Sequence, residues 1–126
     1  MSLYKEEIIG THVAIANWLS KGTGDLGELI RHFDTTFTMI TPGGACLDYP
    51  ALCAFFQMQR ACRPGLIIVV EHIDVVAEWP DGAALRYCER QQLPDQAETV
   101  RWSTVILQKE KERIAWRHLH ETMAAA

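Results

Sequence analysis

Apolar and polar positions change period partway along the chain. From about Leu3 to Ser20 the spacing is helical: Ile8, His12, Ile15 and Leu19 fall at i, i+4, i+7 and i+11, with Ile9, Val13 and Ala16 beside them. That predicts one amphipathic helix. Lys21-Gly22-Thr23-Gly24-Asp25 breaks it, and Asp25 or Thr23 can cap a shorter second helix carrying Leu26, Leu29, Ile30 and Phe33. Phe37 to Thr41 is a short β-branched and apolar run that stops at Pro42-Gly43-Gly44, where a turn returns the chain through Ala45 to Leu47. Asp48 is a good N-cap for a third helix with Pro50 in its first turn and Leu52, Phe55, Phe56 and Gln59 on its buried face. Arg63-Pro64-Gly65 ends that helix.

After Gly65 the period becomes that of strands. Leu66 to Trp79 is rich in Ile and Val, Pro80-Asp81-Gly82 turns into Ala83 to Leu93, and Pro94-Asp95-Gln96-Ala97 turns again into Glu98 to Lys109. Glu110 to Arg113 leads into a last strand from Ile114. Helices first and an antiparallel meander after imply an α+β domain whose curved sheet wraps around its helices. At 126 residues, 48% hydrophobic and 22% charged, residues 1–126 are expected to form a single soluble domain.

Charge narrows the partners. A formal net charge of -4, without a basic cluster, argues against nucleic acid. No segment approaches a membrane-spanning length, and Lys5, Glu6 and Glu7 precede any apolar run, unlike a secretory signal; a cytoplasmic location is expected. Cys46, Cys53, Cys62 and Cys88 show neither a C-x-x-C pair nor a zinc spacing, so reduced thiols that pack are expected.

Alternation sorts the candidate chemistry into faces. It separates Tyr87, Glu89 and Gln91 from Arg86, Cys88 and Arg90, and Arg101, Ser103, Val105 and Leu107 from Val100, Trp102, Thr104 and Ile106. In the last strand it sets Trp116, His118, His120 and Thr122 against Ala115, Arg117, Leu119 and Glu121. Either face could be the inner one, and a one-residue slip reverses every assignment. His12 reads as a hydrogen-bonded core residue, and Glu89 as an ion-pair strut or an acid/base. His118 and His120 share a side, but with Glu89 they fall one ligand short of a closed tetrahedral set, so neither a metal nor any other cofactor is expected.

The order of helix, helix, short hairpin, helix and long strands resembles the nuclear transport factor 2-like superfamily and its SnoaL-like small proteins. The residues that carry the resemblance are Gly24-Asp25-Leu26 with Leu29-Ile30-Arg31-His32-Phe33, then Phe37-Thr38-Met39-Ile40-Thr41-Pro42-Gly43-Gly44, Tyr87 in a central strand, and Trp116 to Thr122. The resemblance implies a cystatin-like cone: a strongly curved, mostly antiparallel sheet around three helices from the N-terminal half, a pocket at the wide end, and a homodimer through the sheet's outer face. Family functions range from isomerases, dehydratases, cyclases and hydrolases to ligand-binding and assembly modules, so the fold names no reaction. Ketosteroid-isomerase-like members carry an Asp base just before the Pro-x-Gly turn. Thr41 stands there in this chain and cannot serve as a carboxylate base.

The resemblance also turns the first set of each strand inward. It then implies a small-molecule site with His120 or Glu89 as acid/base and with His12, Tyr87, Arg101, Ser103, Trp116 and His118 as ligand-binding groups. The alternative is a non-catalytic ligand-binding or dimerisation module in which those polar groups satisfy one another. An open volume of about 300 Å³ or more favours the site. The direction of Trp116 tests the register.

Overall fold

A computed structural model describes residues 2–125. Helix α1 runs Leu3–Lys21, opened by the Ser2 hydroxyl, which accepts from the Tyr4 amide, and closed by Gly22 in the left-handed region at φ 69°. Helix α2 is Leu26–Ile30, with Asp25 as its N-cap, and helix α3 is Tyr49–Met58, with Asp48 as its N-cap and Pro50 in the first turn. The strands are β1 Phe33–Ile40, β2 Cys46–Asp48, β3 Ile67–Trp79, β4 Gly82–Gln92, β5 Thr99–Glu110 and β6 Arg113–Met123. They form one open mixed sheet in the order β2-β1-β6-β5-β4-β3, with β1 parallel to β6 and every other pair antiparallel.

The core lies between the helices and the inner face of the sheet. Ile8, Leu19, Leu29, Phe33, Phe37, Leu52 and Phe56 meet Leu85, Tyr87, Val105, Leu107 and Trp116 there. Helix α1 buries a narrower stripe than its apolar content suggests. Tyr4, Ile8, Thr11, His12, Trp18 and Leu19 are covered, while Ile9 and Val13 face out. Helix α3 stops at Met58, short of the expected Arg63, because the turn after it is used elsewhere. The amides of Ala61 and Arg63 donate to the carbonyls of Trp18 and Leu19, satisfying the C-terminal end of α1. Cys62 therefore lies outside the helix that holds Cys53, and the four cysteines are unpaired.

Two further departures come from one place in the sheet. Strand β1 begins at Phe33, which the sequence assigns to the second helix, because the Trp116 amide donates to the His32 carbonyl at 2.8 Å and pairs Phe33 with Trp116. The ladder between β1 and β6 then jumps from Phe33↔Trp116 to Thr38↔His118. Across the other edge of β6, Leu107 pairs with Trp116 and Ile106 with His118. Arg117 is thus the extra residue of a β-bulge. Its guanidinium reaches Thr36 O at 2.7 Å, where Asp34 caps a local turn by accepting from the Thr36 amide.

The bulge reverses the faces of the rest of β6. Trp116 points into the core, but His118 and His120 emerge on the outer face, and Leu119 and Glu121 turn inward. The inward placement expected for His118 and His120, and the outward placement expected for Leu119, are both corrected. Strands β4 and β5 keep the expected alternation, with Tyr87, Glu89, Ser103, Val105 and Leu107 buried on the inner side.

Candidate functional site

Between the helices and the sheet lies a cavity of about 260 Å³. Its walls are apolar: Ile15 and Leu19 from α1, Phe33, Phe37 and Met39 from β1, Leu47, Leu52, Phe55 and Phe56 around α3, and Trp116 and Leu119 from β6. The polar lining comes mainly from the middle of the sheet and from α1, with His12, Glu89, Gln91, Arg101 and Glu121; Thr41 and Arg63 are half-buried members of the same lining. The volume falls just under the roughly 300 Å³ at the lower end of ordinary ligand sites.

His12 has both ring nitrogens committed. Nδ1 lies 2.8 Å from the Ile8 carbonyl, which can only accept, so Nδ1 carries a proton. Nε2 lies 3.0 Å from Glu89 Oε1, and a contact of that length between a ring nitrogen and a carboxyl oxygen holds a second proton. Burial alone lowers the His12 pKa, but the hydrogen bond and charge of Glu89 outweigh it and hold the imidazole above its ordinary range. Glu89 shows the reciprocal effect. Burial raises its pKa, yet His12 and the Gln91 amide, which donates to Oε2 at 2.5 Å, bring it below the ordinary value. Both shifts favour the imidazolium–carboxylate form of the pair.

Glu121 has the opposite balance. Burial and the neighbouring Glu89 charge raise its pKa, and Arg101, His12 and the Ser103 hydroxyl offset only part of the rise. Its hydrogen bonds are long: Ser103 Oγ donates to Oε2 at 3.3 Å and Arg101 Nη1 to Oε1 at 3.5 Å. Strand β5 supplies Arg101 between the two carboxylates, since Glu89 is its cross-strand partner on β4 and Glu121 reaches it diagonally from β6. Glu89, Arg101 and Glu121 therefore form a row across three strands. Two carboxyl groups in one mostly apolar cavity are thus pushed in opposite directions, Glu89 toward its ionised form and Glu121 toward its protonated form.

The structure brings together His12, Glu89, Arg101 and Trp116 from the expected set. Tyr87 and Ser103 are fully buried but stand behind the cavity wall rather than in it. The Tyr87 ring meets the His12 ring edge-on at 5.3 Å, its hydroxyl has no hydrogen-bond partner among the described residues, and burial raises its pKa well above the usual phenol value. His118 and His120 line a separate groove on the outer face with Arg86, Trp102, Thr104, Ile106 and Thr122, and His118 Nδ1 lies 2.7 Å from Thr38 Oγ1. They share no site with Glu89. Thr41 closes the β1–β2 turn, its hydroxyl accepting from the Ala45 amide at 3.1 Å.

Glu121 escapes a reading of the sequence by strict alternation. Its signal was the spacing of three between Trp116 and Leu119: two large apolar residues at odd separation cannot share the inner face unless a bulge lies between them. A second depression, about 620 Å³, opens on the surface near the start of α1. It is lined by charges of both signs, including Glu7, Glu28, Arg31, Lys109 and Arg113, and has few apolar walls. Within it Glu7 accepts from His32 Nδ1 at 2.7 Å and from Trp116 Nε1 at 3.1 Å, which fastens α1 to β6 and fixes the tryptophan that walls the cavity.

Comparison with known proteins defines the class first. The fold is the cystatin-like, nuclear transport factor 2-like one: the association domain of a Caenorhabditis elegans kinase, CaMKII, superposes with a TM-score of 0.73 at 17% identity over 94% of this chain and 95% of that one. A ketosteroid isomerase-like protein from Erwinia carotovora superposes with a TM-score of 0.70 at 12% identity over 97% of this chain and 94% of that one. A nuclear transport factor 2-like protein of unknown function from Pseudomonas aeruginosa matches with a TM-score of 0.92 and 38% identity, covering 97% of this chain and 98% of that one. The chain belongs to the nuclear transport factor 2-like family. No family model and no curated protein matches it.

Proposed function

We propose that the cavity binds a small molecule and exchanges protons with it. Glu89 acts as the base, Glu121 as the acid, and His12 holds Glu89 ionised and in place. The observation that carries this is the row Glu89, Arg101 and Glu121 on the wall of a mostly apolar cavity, with the two carboxyl pKa values displaced in opposite directions. Such a set suits proton abstraction next to a carbonyl, dehydration or cyclisation, in which one group removes a proton while another donates to oxygen. The ketosteroid isomerase-like neighbour supports only the fold for this purpose, because Thr41 lacks the carboxylate its position would need. His120 has no part in the proposed chemistry, since its side chain lies on the other side of the sheet.

A thermal-shift screen against a metabolite library tests the binding. Ligands of the folded state raise the melting temperature, and the same compounds are expected to leave a cavity-filled Leu119→Trp variant unmoved. Equal shifts in both proteins place the binding elsewhere and reject the cavity. For any compound that turns over, Glu89→Gln and Glu121→Gln should each lower the rate by about two orders of magnitude. Unchanged turnover in both rejects the acid/base pair.

Self-association through the outer face of the sheet has its own support. Ile67, Val69 and Trp102 are exposed there, Ile106 lies beside them, and the C. elegans neighbour is an association domain. We propose a homodimer across this surface, in the cytoplasm, where four unpaired thiols persist. Sedimentation should give twice the chain mass for the native protein and the chain mass for Trp102→Glu. A native protein that sediments as one chain at micromolar concentration rejects the dimer.

A further inference from the structure

The arginine of the row is far less committed than the carboxylates beside it. Arg101 lines the cavity with its side chain only 19% exposed, Nε is buried without a partner among the described residues, and the one contact of the guanidinium is the 3.5 Å approach of Nη1 to Glu121. Charge-assisted bonds of this kind normally run about 2.7–2.9 Å. Glu89, its cross-strand partner, spends its oxygens on His12 and Gln91 instead. Most of the five donors of the guanidinium fork therefore have no protein acceptor among the described residues.

Charge inside the cavity leads to the same place. Glu89 is paired with His12 at 3.0 Å, and Glu121, whose pKa is raised by burial and by the Glu89 charge, stays 3.5 Å from the guanidinium, so neither carboxyl group fully offsets the Arg101 charge. Leaving a buried charge uncompensated is costly, so an incoming anion is favoured. A second cation, Arg63, belongs to the same lining, and among the described residues its guanidinium makes only a 3.4 Å hydrogen bond to Gln91 Oε1. Volume and shape set the rest of the ligand. A cavity of about 150 Å³ holds a benzene, and this one has about 260 Å³ walled by Phe33, Phe37, Phe55, Phe56 and Trp116.

We propose that the cavity takes a small monocarboxylate whose single ring or short branched chain fills the aromatic sleeve and whose carboxylate sits on the Arg101 fork, with Arg63 as the second cation. This rests on the cavity being a ligand site, and it adds the class of ligand. It also assigns Arg101 as the residue that sets specificity: a bidentate guanidinium distinguishes a carboxylate from the amide of the same shape, whereas the apolar walls do not.

The test uses matched probes: benzoate, phenylacetate and cyclohexanecarboxylate against benzamide, phenylacetamide and cyclohexanecarboxamide, titrated into the native protein and followed by calorimetry and by the amide resonances of the cavity-lining residues. Carboxylates are expected to bind at least about tenfold more tightly than their amides, with Arg101→Gln abolishing the preference. Should Arg101→Gln not fold, Arg101→Lys keeps the charge without the fork and should retain only part of the preference. Amides that bind in the cavity as tightly as the acids overturn the carboxylate assignment and leave the ligand site standing. If neither series perturbs the cavity at millimolar concentration, the site and the assignment fall together.

Discussion

The two faces of β4, β5 and β6 carry similar residue types in very different circumstances. Inside, Glu89 and Glu121 are 4% and 7% exposed, His12 packs over them from α1, and all three have displaced pKa values with identifiable partners. Outside, Arg86, Trp102, His118 and His120 stand along an open groove, and His118 has a single threonine for company. On the outer face His120 stays exposed to water and His118 is half-buried, while a histidine sealed on the inner face must acquire a counter-charge or lose its proton. The environment, not the residue type, sorts the chemical groups from the ordinary ones.

The sharpest way to break this comparison is to remove one member of the inner pair. Glu89→Ala removes the counter-charge, so the buried His12 ring gives up its second proton, and the lost charge-assisted bond should cost about 2 kcal/mol in denaturant unfolding. A loss under about 1 kcal/mol would mean the pair is not ionic. Next comes pH. Glu89 has a folded pKa below its ordinary value, so its contribution is present above the unfolded value of 4.5 and fades as pH falls through the folded one. His12 has a raised folded pKa, so its contribution is complete below 6.5 and is lost as pH climbs through the folded value. Glu121, raised from 4.5, disfavours the folded state progressively as pH rises above that value.

These three directions place maximal stability on the acid side of neutrality, with a decline toward alkaline pH. Glu121→Gln should reduce that decline, and a melting temperature equally pH-dependent in the variant would contradict the raised pKa. Smaller still is Tyr87→Phe. Its hydroxyl is buried without a hydrogen-bond partner among the described residues, so the substitution should leave stability unchanged or raise it by about 1 kcal/mol. A clear loss would reveal a partner for that hydroxyl. His118→Ala and His120→Ala should each change monomer stability by less than about 0.5 kcal/mol and leave cavity binding intact.

Much of this was legible in the chain. Helical spacing in α1, the caps at Asp25 and Asp48, and the turn residues Pro42-Gly43-Gly44 and Pro80-Asp81-Gly82 are local signals, and the structure follows them. Alternation also grouped Glu89, Arg101 and Ser103 on one side, the resemblance turned that side inward, and the structure places them there, because β4 and β5 pair without interruption from Gly82↔Gln108 to Gln91↔Thr99. It failed on β6. There the Arg117 bulge depends on a contact with Thr36, far away in sequence, which no local period records. The failure exchanged His120 for Glu121 as a cavity group, so the proposed acid/base groups become Glu89 and Glu121 in place of His120 and Glu89.

The protonation state of His12 is the most direct test of the inner site. Heteronuclear NMR of the imidazole ring, followed from pH 5 to pH 9, should show His12 holding its second proton to higher pH in the native protein than in Glu89→Gln. A native His12 that titrates below the ordinary histidine range, or a titration that Glu89→Gln leaves in place, would contradict the ion pair on which the account rests.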